Sequence, residues 1–130
     1  MITTALAAAA LMTGSGTAYH SCEGSTSMTA SGRTAKVGYV AHNGLPIGSW
    51  IEMVRPRTVM DRKWFQVMDR GGPSFLVDFW AKDCSWMHAF GRRTITIKAV
   101  PRSELYRGKP MKGWSFRRGS KSAKLVWRAK

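Results

Sequence analysis

The apolar segments of this chain are brief, and this limits what it can fold into more than any other feature. From Lys36 onward, each apolar run is cut after a few residues by Gly, Pro or charge. Such runs are too short for core helices and have the two-residue period of half-buried strands. Residues 36–41 read as a strand with Val37 and Tyr39 on one face, and Gly44-Leu45-Pro46-Ile47-Gly48 breaks it. Residues 49–54 alternate, with Ile51 and Met53 inward if Glu52 faces water. Residues 64–69 form the next strand, with Phe65, Val67 and Asp69 sharing a face. Gly71-Gly72-Pro73 turns the chain into residues 75–80, where Leu76, Asp78 and Trp80 lie on one side. Residues 94–100 place Ile95, Ile97 and Ala99 inward. One short helix is expected over 83–90, with Asp83 as its N-cap and Gly91 as its stop. Residues 17–20 form a strand-like island in a stretch rich in Gly, Ser and Thr. The pattern predicts an all-β domain: a small closed six-stranded barrel with one short helix.

Length and charge set the outer limits. A chain of 130 residues makes one domain, or one domain plus an extension. It carries 21 Lys+Arg against 7 Asp+Glu, a net charge of +14. That balance excludes carboxylate-rich calcium cages and di-iron clusters, and it points to an anionic polymer or surface as partner. Residues 102–130 hold ten Lys+Arg and one acid, Glu104, for a net +9, which leaves +5 on residues 1–101. This basic C-terminal extension also has alternating Trp114/Phe116 and Leu125/Trp127. It reads either as a hairpin or as a basic arm with stacking aromatics. Residues 1–13 read as a signal-like or disordered leader, and residues 14–101 as the barrel domain. No stretch is apolar for long enough to span a membrane as a helix.

Cys22 and Cys84 are the only cysteines, and no four-ligand zinc pattern can be assembled with His20, His42 and His88. No metal and no cofactor are therefore expected. The two cysteines either pair in an oxidising compartment or remain as small hydrophobes.

Two of the seven acids stand out. Asp78 is wedged between Val77 and Phe79-Trp80, and Asp69 ends an apolar strand. A carboxyl packed against apolar surface resists ionisation, as a general acid working near neutrality requires. Asp69 also has a structural reading, as an acceptor for backbone N–H groups at the Gly-Gly turn. His42 ends a strand just before Asn43-Gly44, where it reads as either a catalytic or a loop histidine. Trp50, Trp80 and Trp86 either fill the core or line a groove for sugar rings or bases.

Five blocks occur in a set order: Thr29-Ala30-Ser31-Gly32, Val40 through Ser49, Val67 through Gly72, Val77-Asp78-Phe79, and Phe90 through Ile97. Over residues 17–100 the chain resembles RlpA-like and three-aspartate ("3D") double-psi β-barrel domains. These are similar to the barrels of MltA-type lytic transglycosylases and of expansins. The resemblance implies that Asp78 is the catalytic acid, with Asp69 and His42 orienting it or the sugar. It further implies substrate contacts from Thr29, Ser31 and Asn43, to which Trp50 and Trp80 are added as stacking candidates on their aromatic faces alone. Two departures stand out: Asn43 replaces the first of the three aspartates, and Arg33-Thr34-Ala35-Lys36 lacks the acid that RlpA-like domains carry there.

The function the resemblance implies is cleavage of the N-acetylmuramic acid–N-acetylglucosamine link of peptidoglycan by a secreted, periplasmic or wall-associated monomer. A phage-borne wall enzyme is also compatible. Two alternatives remain open. One is a wall-binding or wall-loosening barrel without cleavage. The other is a nucleic-acid binder acting through the basic extension, whose affinity would fall steeply with salt.

Overall fold

A computed structural model describes residues 10–22, 27–110, 114–116 and 125–127. The chain divides between Val100 and Pro101 into two compact units. In the first unit six strands close into a hydrogen-bonded ring: β1 (Leu11–Tyr19), β2 (Tyr39–Ala41), β3 (Trp50–Arg55), β4 (Trp64–Asp69), β5 (Val77–Trp80) and β6 (Arg93–Ala99). The order around the ring is β1-β5-β2-β4-β3-β6. The β1–β5 and β2–β4 pairs are parallel, and the other four are antiparallel. One helix, α1 (Cys84–Phe90), joins β5 to β6. Asp83 caps it by accepting from the Trp86 N–H at 2.7 Å. Gly91 ends it with a positive φ of 61° that suits glycine.

The inward residues of the strands make one core. Val40, Ile51, Phe65, Val67, Phe79 and Ile97 are all fully buried. Phe79 stands edge-on to Phe65 at 4.9 Å and to Phe90 at 5.8 Å, which ties the helix to the ring. Glu52 lies on the outer side of β3, where Lys63 and Lys98 approach it at 3.5 and 3.9 Å.

Three expectations need correction. First, β1 begins at Leu11, inside the segment read as leader, and runs through the Gly/Ser/Thr stretch where only 17–20 looked like a strand. Its glycines serve close approach. A Cβ on Gly14 would lie 2.9 Å from Leu76 Cβ, and one on Gly16 would lie 2.9 Å from Ile95 Cγ2. Second, β2 is confined to residues 39–41. Gly38 holds a φ of 106° and the Tyr39 N–H turns back to the Lys36 carbonyl, so residues 36–38 form a turn whose link to β4 is the Gly38 carbonyl accepting from the Gln66 N–H. Third, Asp69 does not share the core face of Phe65 and Val67. The β2–β4 register shifts after Val40–Val67, pairing Ala41 with Asp69 and skipping Met68. An extra residue of this kind re-aims the side chain that follows it.

Gly16 provides a direct test of the packing. Gly16→Ala forces a methyl group against the buried Ile95 side chain, and overpacking of this kind destabilises by about 1–3 kcal/mol. Thermal melts should show the loss. Ile95→Val should relieve part of it in the double variant, because the two sites touch. Additive losses would show that Ile95 is not what Gly16 makes room for.

The second unit contains a short 3-10 turn (Arg102–Glu104) and two small antiparallel pairs. Strand β7 (Leu105–Tyr106) pairs with β8 (Lys109–Pro110), and β9 (Trp114–Phe116) pairs with β10 (Leu125–Trp127). The segment read as hairpin or basic arm thus contains strand pairing, but most of its basic side chains lie outside the described residues. Residues 1–9, most of the signal-like leader, also lie outside them. Among the described residues, no helix is long and apolar enough to cross a membrane.

Candidate functional site

The ring topology gathers polar side chains onto the outer face of β1, β5, β2 and β4. Thr17 pairs with Asp78, Asp78 with Ala41, and Ala41 with Asp69, giving one row across four neighbouring strands. With two strand spacings of about 4.8 Å each, the Asp78 and Asp69 backbones are roughly 10 Å apart. Ala41 between them contributes only a methyl group. Val77 and Phe79 point into the core, so alternation turns Asp78 outward.

Asp78 is half-buried, and the Thr17 hydroxyl donates to its Oδ1 at 2.9 Å. Burial pushes its pKa above the usual carboxylate range, and the Asp69 charge adds to the rise. The Thr17 hydrogen bond and the Arg92 guanidinium oppose the rise without cancelling it.

Asp69 is held from three sides. The Tyr19 hydroxyl donates to Oδ2 at 2.8 Å, and the Ala30 and Arg70 N–H groups donate to Oδ1 at 2.8 and 2.9 Å. It is thus a backbone-capped carboxylate, although its amides come from Ala30 and Arg70; the Gly71 N–H goes to Asn43 Oδ1 instead. Burial, the hydrogen bond to Asp69 and the charges of both aspartates push the Tyr19 phenol pKa strongly upward, so its proton stays on the ring oxygen. Tyr19→Phe removes a charge-assisted hydrogen bond that contributes about 1.5–3 kcal/mol. A loss of unfolding free energy of that order is expected in denaturant titration, and no loss would mean that Asp69 needs only its amide donors.

The other predicted site residues mostly serve as struts. His42 is 5% exposed, and its Nδ1 donates to the Leu76 carbonyl at 2.7 Å. Its own N–H donates to the Asp69 carbonyl at 3.1 Å, and its carbonyl accepts from Arg70. His42 thus ties together the loops around the site. Both amide atoms of Asn43 are engaged by the Gly71-Gly72 backbone at 3.0 Å. Thr29 is 5% exposed, donates to the Arg33 carbonyl at 2.7 Å and lies 2.6 Å from the Ser31 hydroxyl. The Ser31 N–H donates to the Met68 carbonyl. The Thr-Ala-Ser-Gly block is thus a closed loop, docked on the end of β4, that delivers the Ala30 N–H to Asp69.

Trp80 is 7% exposed, stacked on His20 at 4.7 Å and edge-on to Tyr19 at 5.2 Å. That coverage overturns its reading as an open sugar platform. Trp50 sits on β3, three strands around the ring from Asp78, the greatest separation a six-stranded ring allows. Trp86 stacks on Phe90 at 4.8 Å. The site residues that sequence reasoning missed are Thr17, Tyr19 and Arg92. Residues 17–20 were legible as a strand-like island, but nothing local named the partners of Thr17 and Tyr19.

Cys22 and Cys84 are joined by a disulfide, with Cα atoms 5.5 Å apart. His20 lies beside them, its Nδ1 3.4 Å from Cys84 Sγ. A histidine therefore accompanies the two cysteines, a neighbour that the sequence spacing did not indicate.

No protein-family model matches this chain, and no curated protein matches it significantly.

Proposed function

We propose that this chain is a peptidoglycan-acting double-psi β-barrel of RlpA-like type that cleaves glycan strands as a lytic transglycosylase, with Asp78 as its acid and base. The observation that carries the reading is a half-buried carboxyl held towards its neutral form on the outer face of a closed sheet. The two parallel pairs in an otherwise antiparallel ring support the double-psi assignment.

In this reaction protonated Asp78 gives its proton to the glycosidic oxygen as the C1–O bond of N-acetylmuramic acid breaks. The resulting carboxylate takes the proton of the same sugar's 6-hydroxyl as that oxygen bonds to C1. The product is a 1,6-anhydro ring, and the acid is regenerated. One carboxyl suffices, whereas ordinary glycosidases need two. Asp69 favours the protonated form through its charge, and Tyr19 and Thr17 hold the two carboxyls in place. A net charge of +14 draws the protein to an anionic wall polymer, and a Cys22–Cys84 disulfide suits a secreted or periplasmic location.

The test is mass spectrometry of soluble products from purified sacculi, with 1,6-anhydro-muropeptides expected from the wild type. Asp69→Asn should move the alkaline limb of the pH profile to lower pH, because it removes a charge that raises the Asp78 pKa. An unmoved limb would show that the two carboxyls are uncoupled in the working enzyme.

A second reading, a wall-binding barrel without cleavage, is favoured by Asn43. It occupies the first-aspartate position, and both its amide atoms are engaged by a loop. Retention on sacculi without product release would select this reading.

A further inference from the structure

We propose that His20, Cys22 and Cys84 form a redox-gated site for a thiophilic divalent cation such as zinc: a disulfide clasp when oxidised and a metal clasp when reduced. The proposal rests on no part of the wall-enzyme reading.

Three soft donors converge here, with ligand atoms within 4.8 Å of one another. Zinc bonds of about 2.3 Å to sulfur and 2.0–2.1 Å to nitrogen place tetrahedral ligand atoms about 3.5–3.8 Å apart. The 3.4 Å between His20 Nδ1 and Cys84 Sγ is already close to that separation. The Cα atoms of Cys22 and Cys84, 5.5 Å apart, leave room for the sulfurs to part by side-chain rotation.

The imidazole is also pre-set. The Cys22 N–H donates to His20 Nδ1 at 2.9 Å, which identifies Nδ1 as the unprotonated ring nitrogen. The same nitrogen lies 3.4 Å from Cys84 Sγ, and stacking on the buried Trp80 fixes the ring plane. Metal binding would replace this N–H hydrogen bond with a coordinate bond. The three side chains leave a fourth coordination position for water.

The redox step balances. A dithiol reductant passes two electrons and two protons to the sulfurs and leaves as its own disulfide. The cation then displaces both thiol protons. Either clasp ties the end of β1 to the start of α1, so the same junction is held in a reducing or an oxidising compartment.

The test is titration of the dithiol-reduced full chain with Cd(II), then Zn(II), without oxygen. A thiolate-to-metal charge-transfer band saturating at a single ion per chain is expected, with two protons released per ion. The oxidised chain should give no band. Zinc should raise the melting temperature of the reduced chain and leave that of the oxidised chain unchanged. His20→Ala keeps both cysteines and its disulfide, and in the reduced form should weaken binding on the order of tenfold or more. The proposal is overturned if the reduced chain gives no band, if His20→Ala binds as tightly as wild type, or if reduction unfolds the chain and zinc does not restore it.

Discussion

Asp78→Asn should abolish release of 1,6-anhydro-muropeptides from sacculi while the fold survives. Removal of a general acid lowers rates by roughly two to four orders of magnitude. The amide keeps the shape of the carboxyl and an oxygen for the Thr17 hydroxyl, so near-ultraviolet circular dichroism should be unchanged. The same substitution carries a stability signature. Because burial raises the folded-state pKa of Asp78, folding favours its protonated form. That contribution is complete below the unfolded-state pKa and is lost as pH rises through the folded one. At neutral pH the ionised carboxylate weighs against the fold, so Asp78→Asn should melt higher than wild type there, and the gain should vanish in acid. A dead and more stable variant is the pattern expected where a strained group has been kept for activity. Full activity in Asp78→Asn would remove Asp78 from the reaction. A melting temperature lower at neutral pH would show that the carboxylate is well solvated.

The second large effect concerns the Cys22–Cys84 disulfide, which spans 62 residues of sequence. On the chain-entropy account, a loop of that length stabilises the fold by about 4 kcal/mol. In a unit of about this size each kcal/mol moves the melting temperature by about 4–8 °C, so Cys22→Ser/Cys84→Ser should melt roughly 15–30 °C lower under oxidising conditions. Dithiol treatment of wild type in a metal-free buffer should reproduce the shift. A loss of only a few degrees would mean that β1 is held mainly by its ladders to β5 and β6.

The parts of the fold that local rules govern were legible in the sequence. Strand β4 spans Trp64–Asp69 as expected, Asp83 caps the helix and Gly91 stops it, and Ile51, Met53, Ile95 and Ile97 face the core. What was missed depends on partners far along the chain. Gly14 and Gly16 look like loop residues until Leu76 and Ile95 are laid across them. The face of Asp69 follows from a register shift that exists only once β2 lies beside β4. Asp78 was legible as an unusual acid because Val77, Phe79 and Trp80 surround it in sequence. Thr17 and Tyr19, 61 and 50 residues away from the carboxyls they bind, carried no such sign. The backbone contacts of Thr29, Ser31 and Asn43 were not legible, because polar loop residues look the same whether they meet a ligand or the backbone of the next loop.

The way β1 closes the ring bears on how a ribosome can deliver this protein. Its hydrogen-bonding partners are β5 and β6, and Leu11 lies opposite Lys98. During synthesis the first strand emerges with neither neighbour yet made and must stay unpaired until nearly the whole first unit has been translated. Contacts this distant form slowly and leave a strand edge open to other nascent chains in the meantime.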